Sequence, residues 1–135
     1  MDYMKMAVQL AKKAASLDEI PIGAIVVKNN VVVAKGHNNR HSKNDVLGHA
    51  EIVAIGKAQR KLKTWHLNDC EMYVTMKPCT LCERVIKESR ISKVFYLVQK
   101  QESKREYNKT IIEKMKGYNS RDYKEVLSKF FVNKR

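Results

Sequence analysis

The chain has 135 residues, of which 44% are hydrophobic and 30% charged, and its formal net charge is +13. This length fits one domain, residues 1–135, and no apolar run approaches the roughly 20 residues of a membrane-spanning helix. We therefore expect a cytoplasmic protein without a membrane span or a secretory signal. The positive charge favours a nucleic-acid partner, because cations that neutralise phosphates release counterions.

The first part of the chain predicts a helix followed by a β-hairpin. Apolar residues recur at three- and four-residue spacing over 4–15, which indicates an amphipathic helix that ends near Leu17. Two β-branched runs, 22–27 and 31–35, flank the pair Asn29-Asn30. Asparagine tolerates the left-handed backbone of a tight turn, so these runs predict two antiparallel strands.

Two βα units are predicted after the hairpin. A helix from about His49 to Leu62 follows a polar stretch, and strands are predicted over 70–75 and 93–98. Pro78 marks the start of a helix between these strands, because the missing N–H of proline costs nothing in a first helical turn.

The C-terminal part is more basic than the rest of the chain. Residues 83–135 carry more of the excess positive charge than residues 1–82, although they are fewer. Beyond residue 100 the sequence is polar, and helices are predicted near 108–116 and 121–132. A chain that simply favours lysine would have a similar composition, so charge alone discriminates poorly between partners.

Two short motifs, His49-Ala50-Glu51 and 78–82 (Pro-Cys-Thr-Leu-Cys), carry the chemistry. His49 with the two cysteines, Cys79 and Cys82, supplies three zinc ligands, and a catalytic zinc site leaves its fourth position to water, whereas a structural site fills all four. Glu51 is then placed to move the protons of that water. The pattern resembles the H-x-E and P-C-x-x-C signature of zinc-dependent nucleobase deaminases, with one Zn²⁺ per chain.

The predicted layout brings the two motifs together. Each motif opens a helix, and the N-termini of helices gather at the carboxyl edge of the strands in a βα architecture. Cys79 and Cys82 share one helical face. The positive end of that helix dipole is expected to lower the pKa of the thiols and to favour the thiolates that zinc requires.

Other interpretations of these residues are weaker. The C-x-x-C spacing also occurs in thioredoxin-like redox pairs and in structural zinc ribbons. A redox pair leaves His49 and Glu51 without a role, and a structural site needs a second pair of ligands, whereas the remaining cysteine, Cys70, lies in or beside a predicted strand. His66 is the histidine whose approach to the metal would close the site.

Further segments resemble those of a known family. They are, besides the two motifs, Glu19-Ile20-Pro21-Ile22-Gly23-Ala24, Gly36-His37-Asn38, Asp45, Tyr73-Val74-Thr75, Ser89-Arg90-Ile91 and Leu127-Ser128-Lys129-Phe130-Phe131. In this combination the chain resembles the bacterial tRNA-specific adenosine deaminases, within the cytidine deaminase-like superfamily.

The chain departs from that family at three places. Lys77 stands where the family usually has Glu, and Val46-Leu47-Gly48 stands where it usually has Pro-Thr-Ala. The family's Gly-rich segment after the fourth strand is replaced by residues 98–104, which predicts a reduced or absent fifth strand.

The resemblance implies an α/β fold of the cytidine deaminase-like type. It has three layers, α/β/α, with a mixed central sheet of four to five strands, and it is usually a homodimer. The implied reaction is hydrolytic deamination of adenosine to inosine in tRNA, at the wobble position of the anticodon. Asn38 would contact the target base, and Glu51 would shuttle protons from the zinc-activated water to the ring nitrogen and to the departing amine.

The implied partner is a tRNA anticodon stem-loop, whose unstacked bases are accessible to an enzyme. The residues expected to contact it are phosphate-binding Lys129, Lys134 and Arg135, with Phe130 or Phe131 stacking on bases. For at least one phenylalanine we favour docking of its helix on the core.

Two functions of other classes remain as alternatives. A deaminase of a free base, nucleoside or nucleotide, such as guanine, cytosine or deoxycytidylate, would have the same ligands but little use for a charge of +13. A non-catalytic RNA-binding deaminase subunit would keep zinc and RNA affinity, but such subunits typically lose the shuttle that Glu51 supplies.

Overall fold

The computed structural model describes residues 1–99 and 107–133. Contacts within the chain divide it into two units, Met1–Gln101 and Glu102–Arg135. The helices and strands of the first unit are α1 (Tyr3–Ser16), β1 (Gly23–Lys28), β2 (Val31–His37), α2 (Ala50–Leu62), β3 (Cys70–Met76), α3 (Thr80–Glu88) and β4 (Lys93–Val98). The second unit contains α4 (Arg121–Asn133).

The four strands form one mixed sheet in the order β2-β1-β3-β4. Strand β1 runs antiparallel to both of its neighbours, whereas β3 and β4 are parallel. The predicted hairpin is confirmed, because Asn29 and Asn30 both adopt positive φ angles, 50° and 63°. Since β2 and β3 both oppose β1, they point the same way, and the helices that follow them begin at the same edge of the sheet.

Alternation along β1 explains the three layers. Ala24 and Val26 belong to the core that the sheet shares with α2 and α3, together with Met72 and Val74 of β3. Ile25, which is also fully buried, points to the opposite face. There α1 contributes its buried stripe of Ala7, Ala11 and Ala14. The predicted α/β/α architecture with a mixed sheet is thus confirmed, with four strands among the described residues.

Helix α2 lies against the backbone of β2 because of Gly36. A Cβ atom at Gly36 would lie 2.5 Å from the carbonyl oxygen of Ala50 and 2.8 Å from the amide nitrogen of Ala54. The strand and the first turns of the helix therefore approach more closely than any side chain would allow. This contact sets the depth at which the start of α2 sits on the sheet.

The second unit confirms one predicted helix and contradicts another. Residues 121–132 fall within α4 as predicted, but residues 108–116 form no helix. In that segment Ile111 and Ile112 are exposed, and a helix of nine residues without a packed apolar face is marginal in water. The replaced segment at 98–104 lies mostly outside the described residues.

No helix in the described ranges combines the length and the apolar character that a membrane crossing requires.

Candidate active site

The two sequence motifs open neighbouring helices. His49 is the N-cap residue of α2 and Cys79 is the N-cap residue of α3, both with extended backbone angles. Their carbonyl oxygens accept hydrogen bonds from Val53 (2.9 Å) and Glu83 (2.8 Å), as N-cap carbonyls do. Because β2 and β3 are parallel to each other, these helix starts meet at one edge of the sheet.

His49, Cys79 and Cys82 form a group that could hold a metal ion. Their ligand atoms all lie within 4.8 Å of one another. The Nδ1 atom of His49 is 3.5 Å from the Sγ atom of Cys82 and 4.0 Å from that of Cys79. Zinc bonds of normal length in a tetrahedron separate a nitrogen from a sulfur ligand by about 3.6 Å. The three side chains therefore fit zinc in separation and in chemistry, and within residues 1–99 and 107–133 the group has three members, one fewer than the four ligands of zinc.

Glu51 places a carboxylate in the interior beside this group. Its side chain lies in the first turn of α2 and the residue is only 3% exposed. Its Oε1 atom has no hydrogen-bond partner, an arrangement that is costly in a folded protein unless a ligand completes it. Burial raises the pKa of the Glu51 carboxyl, an effect that its own backbone N–H and the nearby Cys82 oppose.

Cys82 differs from the sequence-based expectation for its acidity. The helix N-terminus favours the thiolate, but burial, together with the charge of Glu51 and the neighbouring Cys79, raises the pKa of the Cys82 thiol. The direction is opposite to the predicted lowering, because burial disfavours the charged thiolate. A bound divalent cation reverses this balance and deprotonates a coordinating thiol.

Asn38 reaches the start of α2 from the end of β2. Its Oδ1 atom accepts a hydrogen bond of 2.8 Å from the backbone N–H of Ala50, and both residues are buried. The N-cap residue His49 makes no capping bond with its own side chain. Asn38 thus satisfies a helix N–H that the N-cap residue leaves open, and its amide group lies next to the metal motif.

The connection between β2 and α2, residues 38–48, is a closed loop that we call the site loop. The two ends of the loop, which we call its neck, are joined by a hydrogen bond of 2.9 Å from the N–H of Asn39 to the carbonyl oxygen of Gly48. Glu19, which sequence reasoning placed within the family resemblance but gave no role, accepts bonds from this loop. The signal available in the sequence was an acidic residue between the end of a helix and a buried strand.

Other predicted residues lie outside the metal group. Among the described residues the group contains neither His66 nor Cys70. The His66 ring contacts Arg90, whose Nη1 lies 3.1 Å from its Nδ1, and Cys70 is buried in β3. Of the positions that differ from the related family, Lys77, Val46 and Leu47 are exposed and Gly48 is buried.

The residues expected to contact RNA belong to the second unit or lie outside the described residues. Lys129, Phe130 and Phe131 are on α4 and are exposed, and the two rings pack edge to face with centroids 5.4 Å apart. Lys134 and Arg135 are outside the described residues.

Comparisons with known proteins identify a family that matches the whole chain and relatives that match most of it. Residues 1–135 match the sequence profile of the family described as MafB19-like deaminase. The chain is 42% identical over 94 residues to the tRNA-specific adenosine deaminase of Aquifex aeolicus (strain VF5), an alignment that covers 70% of the chain and 62% of that protein. It is 40% identical over 94 residues to the protein of the same name from Bacillus subtilis (strain 168), covering 70% of the chain and 58% of that protein. The chain thus spans about six tenths of the length of these relatives.

Two solved structures resemble the fold closely. One, from work on A-to-I editing by tRNA:A34 deaminases at the wobble position, has a TM-score of 0.71 at 38% identity, covering 73% of this chain and 75% of that one. The other, a guanine deaminase from Bacillus subtilis, also has a TM-score of 0.71, at 36% identity, and covers 73% of this chain and 66% of that one.

Proposed function

The chain belongs to the MafB19-like deaminase family, and on that premise we propose that it hydrolyses adenosine to inosine in tRNA, at the wobble position of the anticodon. The observation that carries this proposal is the convergence of His49, Cys79 and Cys82 beside the buried Glu51, which has an unpartnered carboxylate oxygen. The names of the relatives at about 40% identity support the choice of substrate.

His49, Cys79 and Cys82 would hold one zinc ion per chain. When bound, zinc supplies Lewis-acid chemistry that lowers the pKa of water toward about 7. The side chains themselves contribute two thiolates and an imidazole. Their placement on two helix starts keeps them together without the help of a flexible loop.

Glu51 moves the protons of the reaction. The raised pKa of its buried carboxyl suits a group that must accept a proton near neutral pH and release it again. Glu51 takes a proton from the attacking water and delivers it to the ring nitrogen while the water oxygen bonds to C6 of the base. The proton of the new hydroxyl group then passes through Glu51 to the amine, which leaves as ammonia when its bond to C6 breaks. Adenosine and water are thereby converted to inosine and ammonia, with the new carbonyl oxygen derived from water.

Asn38 would hold the target base. Its carbonyl oxygen is engaged with the N–H of Ala50, so its amide N–H₂ group is the part available to donate to a ring nitrogen of the purine. The same residue that caps the helix start would thus also orient the substrate relative to Glu51.

The tRNA would be bound by basic residues as well as by the candidate active site. The net charge of +13 favours contact with phosphates, and we assign Lys129, Lys134 and Arg135 to these contacts, with Phe130 or Phe131 stacking on bases. We further propose that residues 1–135 act as one deaminase domain in a cytoplasmic homodimer. The family profile, which spans all 135 residues, supports the single domain.

A free-base deaminase is the second candidate. The Bacillus subtilis guanine deaminase matches the fold with the same TM-score as the tRNA:A34 deaminase structure, so the metal site and the sheet alone do not select the substrate. The charge of the chain favours the tRNA substrate, because a free base offers no phosphates.

Product formation from several substrates tests the proposal. The zinc-loaded protein is incubated with anticodon stem-loops that carry adenosine at the wobble position, with free adenosine, and with guanine, cytosine and deoxycytidylate, and inosine and ammonia are measured. We expect inosine from the stem-loop, with an affinity that falls steeply as salt increases. Ammonia from guanine alone would replace this proposal with the free-base activity.

A substituted protein serves as the control for the catalytic assignment. Glu51→Gln keeps the shape of the side chain but removes its ability to carry a proton, so the variant should retain zinc and lose turnover by at least about 100-fold. Turnover by Glu51→Gln at the wild-type rate would refute the role of Glu51 even if the substrate were correct.

A further inference from the structure

Glu19 is a buried carboxylate whose acceptors are directed at the site loop. The residue is 5% exposed, and it lies between the end of α1 and the start of β1. Both of its carboxylate oxygens lie 3.0 Å from the backbone nitrogen of His41, and Oε2 also accepts from the backbone N–H of Ser42 at 2.8 Å. Two consecutive loop N–H groups are thus bound by one charged side chain.

Backbone contacts hold Glu19 itself in place. The backbone N–H of Glu19 donates to the carbonyl of Ala14 in the last turn of α1 at 3.0 Å, and Asp18 before it adopts a left-handed backbone with φ of 59°. Ile22, three residues later, accepts the backbone N–H of Asn38 at 3.2 Å. The segment between α1 and β1 therefore braces the site loop at two points, at its first residue and near its outer turn.

The site loop transmits this bracing to the active site. Asn38 begins the loop and caps α2, and His49 follows its last residue. At the neck, a Cβ atom on Gly48 would lie 2.6 Å from the backbone nitrogen of Arg40 and from Oδ1 of Asn39. Arg40, the residue before His41, is thus packed directly against Gly48, the residue before His49, so the segment that Glu19 binds and the start of α2 are in contact through the base of the loop.

We propose that Glu19 is a positioning residue for the deamination, in that its carboxylate holds the site loop in the conformation that presents the Asn38 amide to the substrate base. This inference rests on the proposed function for its kinetic consequence, but its structural part is independent of substrate. The hydrogen bonds from His41 and Ser42 lower the pKa of the Glu19 carboxyl, so it is anionic at neutral pH and its bonds to the loop are charge-assisted.

A loop released from Glu19 has to be ordered each time that substrate binds. The free energy of that ordering weakens substrate binding, so KM rises. Once substrate is bound the loop has regained its conformation, so kcat changes little. A residue that only stabilises the fold has a different effect, because its loss reduces the fraction of active protein and lowers the apparent kcat at constant KM.

The test compares Glu19→Gln with the matched control Glu88→Gln. Glutamine has the shape of glutamate but only one acceptor oxygen, and its N–H₂ group would face a backbone N–H of the site loop, which is also a donor. Glu88 is an exposed residue at the end of α3, so its substitution makes the same change of charge away from the loop. For zinc-loaded protein and an anticodon stem-loop, we expect KM to rise about tenfold in Glu19→Gln with kcat within about threefold of wild type. The Glu88→Gln variant should match wild type in both.

Amide hydrogen exchange provides a measurement that does not depend on the reaction. The amides of His41 and Ser42 should exchange at least about tenfold faster in Glu19→Gln than in wild type or Glu88→Gln. Unchanged exchange at both amides, or a fall in kcat at constant KM, would overturn the proposal. If no tRNA is deaminated by wild type, the proposed function fails but the exchange result still tests the loop contact.

A shorter acid covers the case in which glutamine prevents folding. Glu19→Asp keeps the charge and withdraws the carboxylate from the loop by one methylene group. It is expected to raise KM in the same direction, and an Asp variant with wild-type KM and wild-type exchange at His41 and Ser42 would refute the role of Glu19.

Discussion

Substitution of Asn38 separates its structural role from its role with the substrate. In the structure the side-chain oxygen of Asn38 accepts the N–H of Ala50, while its amide nitrogen is the group we assign to the base. Alanine removes both functions. Aspartate keeps an acceptor oxygen at the same reach but removes the donor.

The expected loss of stability follows from the burial of the Ala50 amide. Ala50 is fully buried, so Asn38→Ala leaves an N–H without a partner or water, which costs about 1–3 kcal/mol. Measured losses of helix N-caps, about 0.5–2 kcal/mol, overlap this range. In a unit of this size each kcal/mol lowers the Tm by about 4–8 °C. Asn38→Asp should stay within about 1 kcal/mol of wild type, because an anion at a helix N-terminus is favourable although Glu51 is near.

Three measurements on the two variants and the wild type make the comparison. Urea unfolding reports the free energy of unfolding, elemental analysis reports zinc per chain, and inosine formation from an anticodon stem-loop reports kcat/KM. We expect Asn38→Asp to bind zinc and to be nearly as stable as wild type, yet to lose about 10- to 100-fold in kcat/KM because a hydrogen bond to the base is gone.

Two results would refute this reasoning, each for a different part. An Asn38→Ala protein that unfolds at the same urea concentration as wild type would show that the bond to Ala50 does not hold the helix start. An Asn38→Asp protein with wild-type kcat/KM would show that the amide does not contact the base, while leaving the capping role intact.

Three further predictions concern packing, pH and metal uptake. Gly36→Ala places a Cβ atom against the backbone of Ala50 and Ala54 and should destabilise the protein by about 1–3 kcal/mol in urea unfolding. The control is Gly56→Ala in α2, where a Cβ atom would meet only the Arg60 side chain at 3.4 Å, and it should be neutral or stabilising by up to about 1 kcal/mol. Equal effects of the two substitutions would contradict the close contact of α2 with β2. The pKa of the Glu19 carboxyl is lowered from its usual 4.5, so its ionisation stabilises the fold above pH 4.5, and this contribution disappears as the pH falls through the lowered pKa. The difference in unfolding free energy between wild type and Glu19→Gln should therefore shrink on acidification. A difference that grows in acid would contradict the bonds to His41 and Ser42. Burial raises the pKa of the Cys82 thiol, so zinc binding to protein stripped of metal at pH 7 should release the thiol proton, and zinc affinity should rise with pH. A pH-indicator dye in weak buffer measures the released protons. Zinc binding without proton release would argue against Cys82 as a ligand.

Local patterns predicted most of the fold of the first unit. The strand at Lys93–Val98 and the helix end at Leu62 coincide with the prediction, and the other elements differ by one or two residues at their ends. Apart from β4, whose residues are half-buried or exposed, these elements have apolar residues that coincide with a buried face. The segment 108–116 has helix-compatible residues, but all of them are exposed in the structure, and a short segment without a buried face cannot be assigned from its own composition.

The candidate metal group was accessible to sequence reasoning because its geometry is local. Spacing of two residues places Glu51 in the first turn that His49 opens, and spacing of three places Cys79 and Cys82 on one side of a helix start. The covalent chain and the helix period determine these relations. That the two helix starts lie close together was predicted from the βα architecture, in which helix N-termini gather at the carboxyl edge of the strands.

Only the tertiary structure decided how the site is supported and how acidic its groups are. Asn38 caps a helix whose N-cap position is taken by His49, and Glu19 binds N–H groups 22 and 23 residues away in sequence. The raised pKa of Cys82 likewise depends on how much of the protein surrounds it. Sequence spacing defines which side chains share a turn, whereas burial and long-range hydrogen bonds exist only once distant segments have packed together.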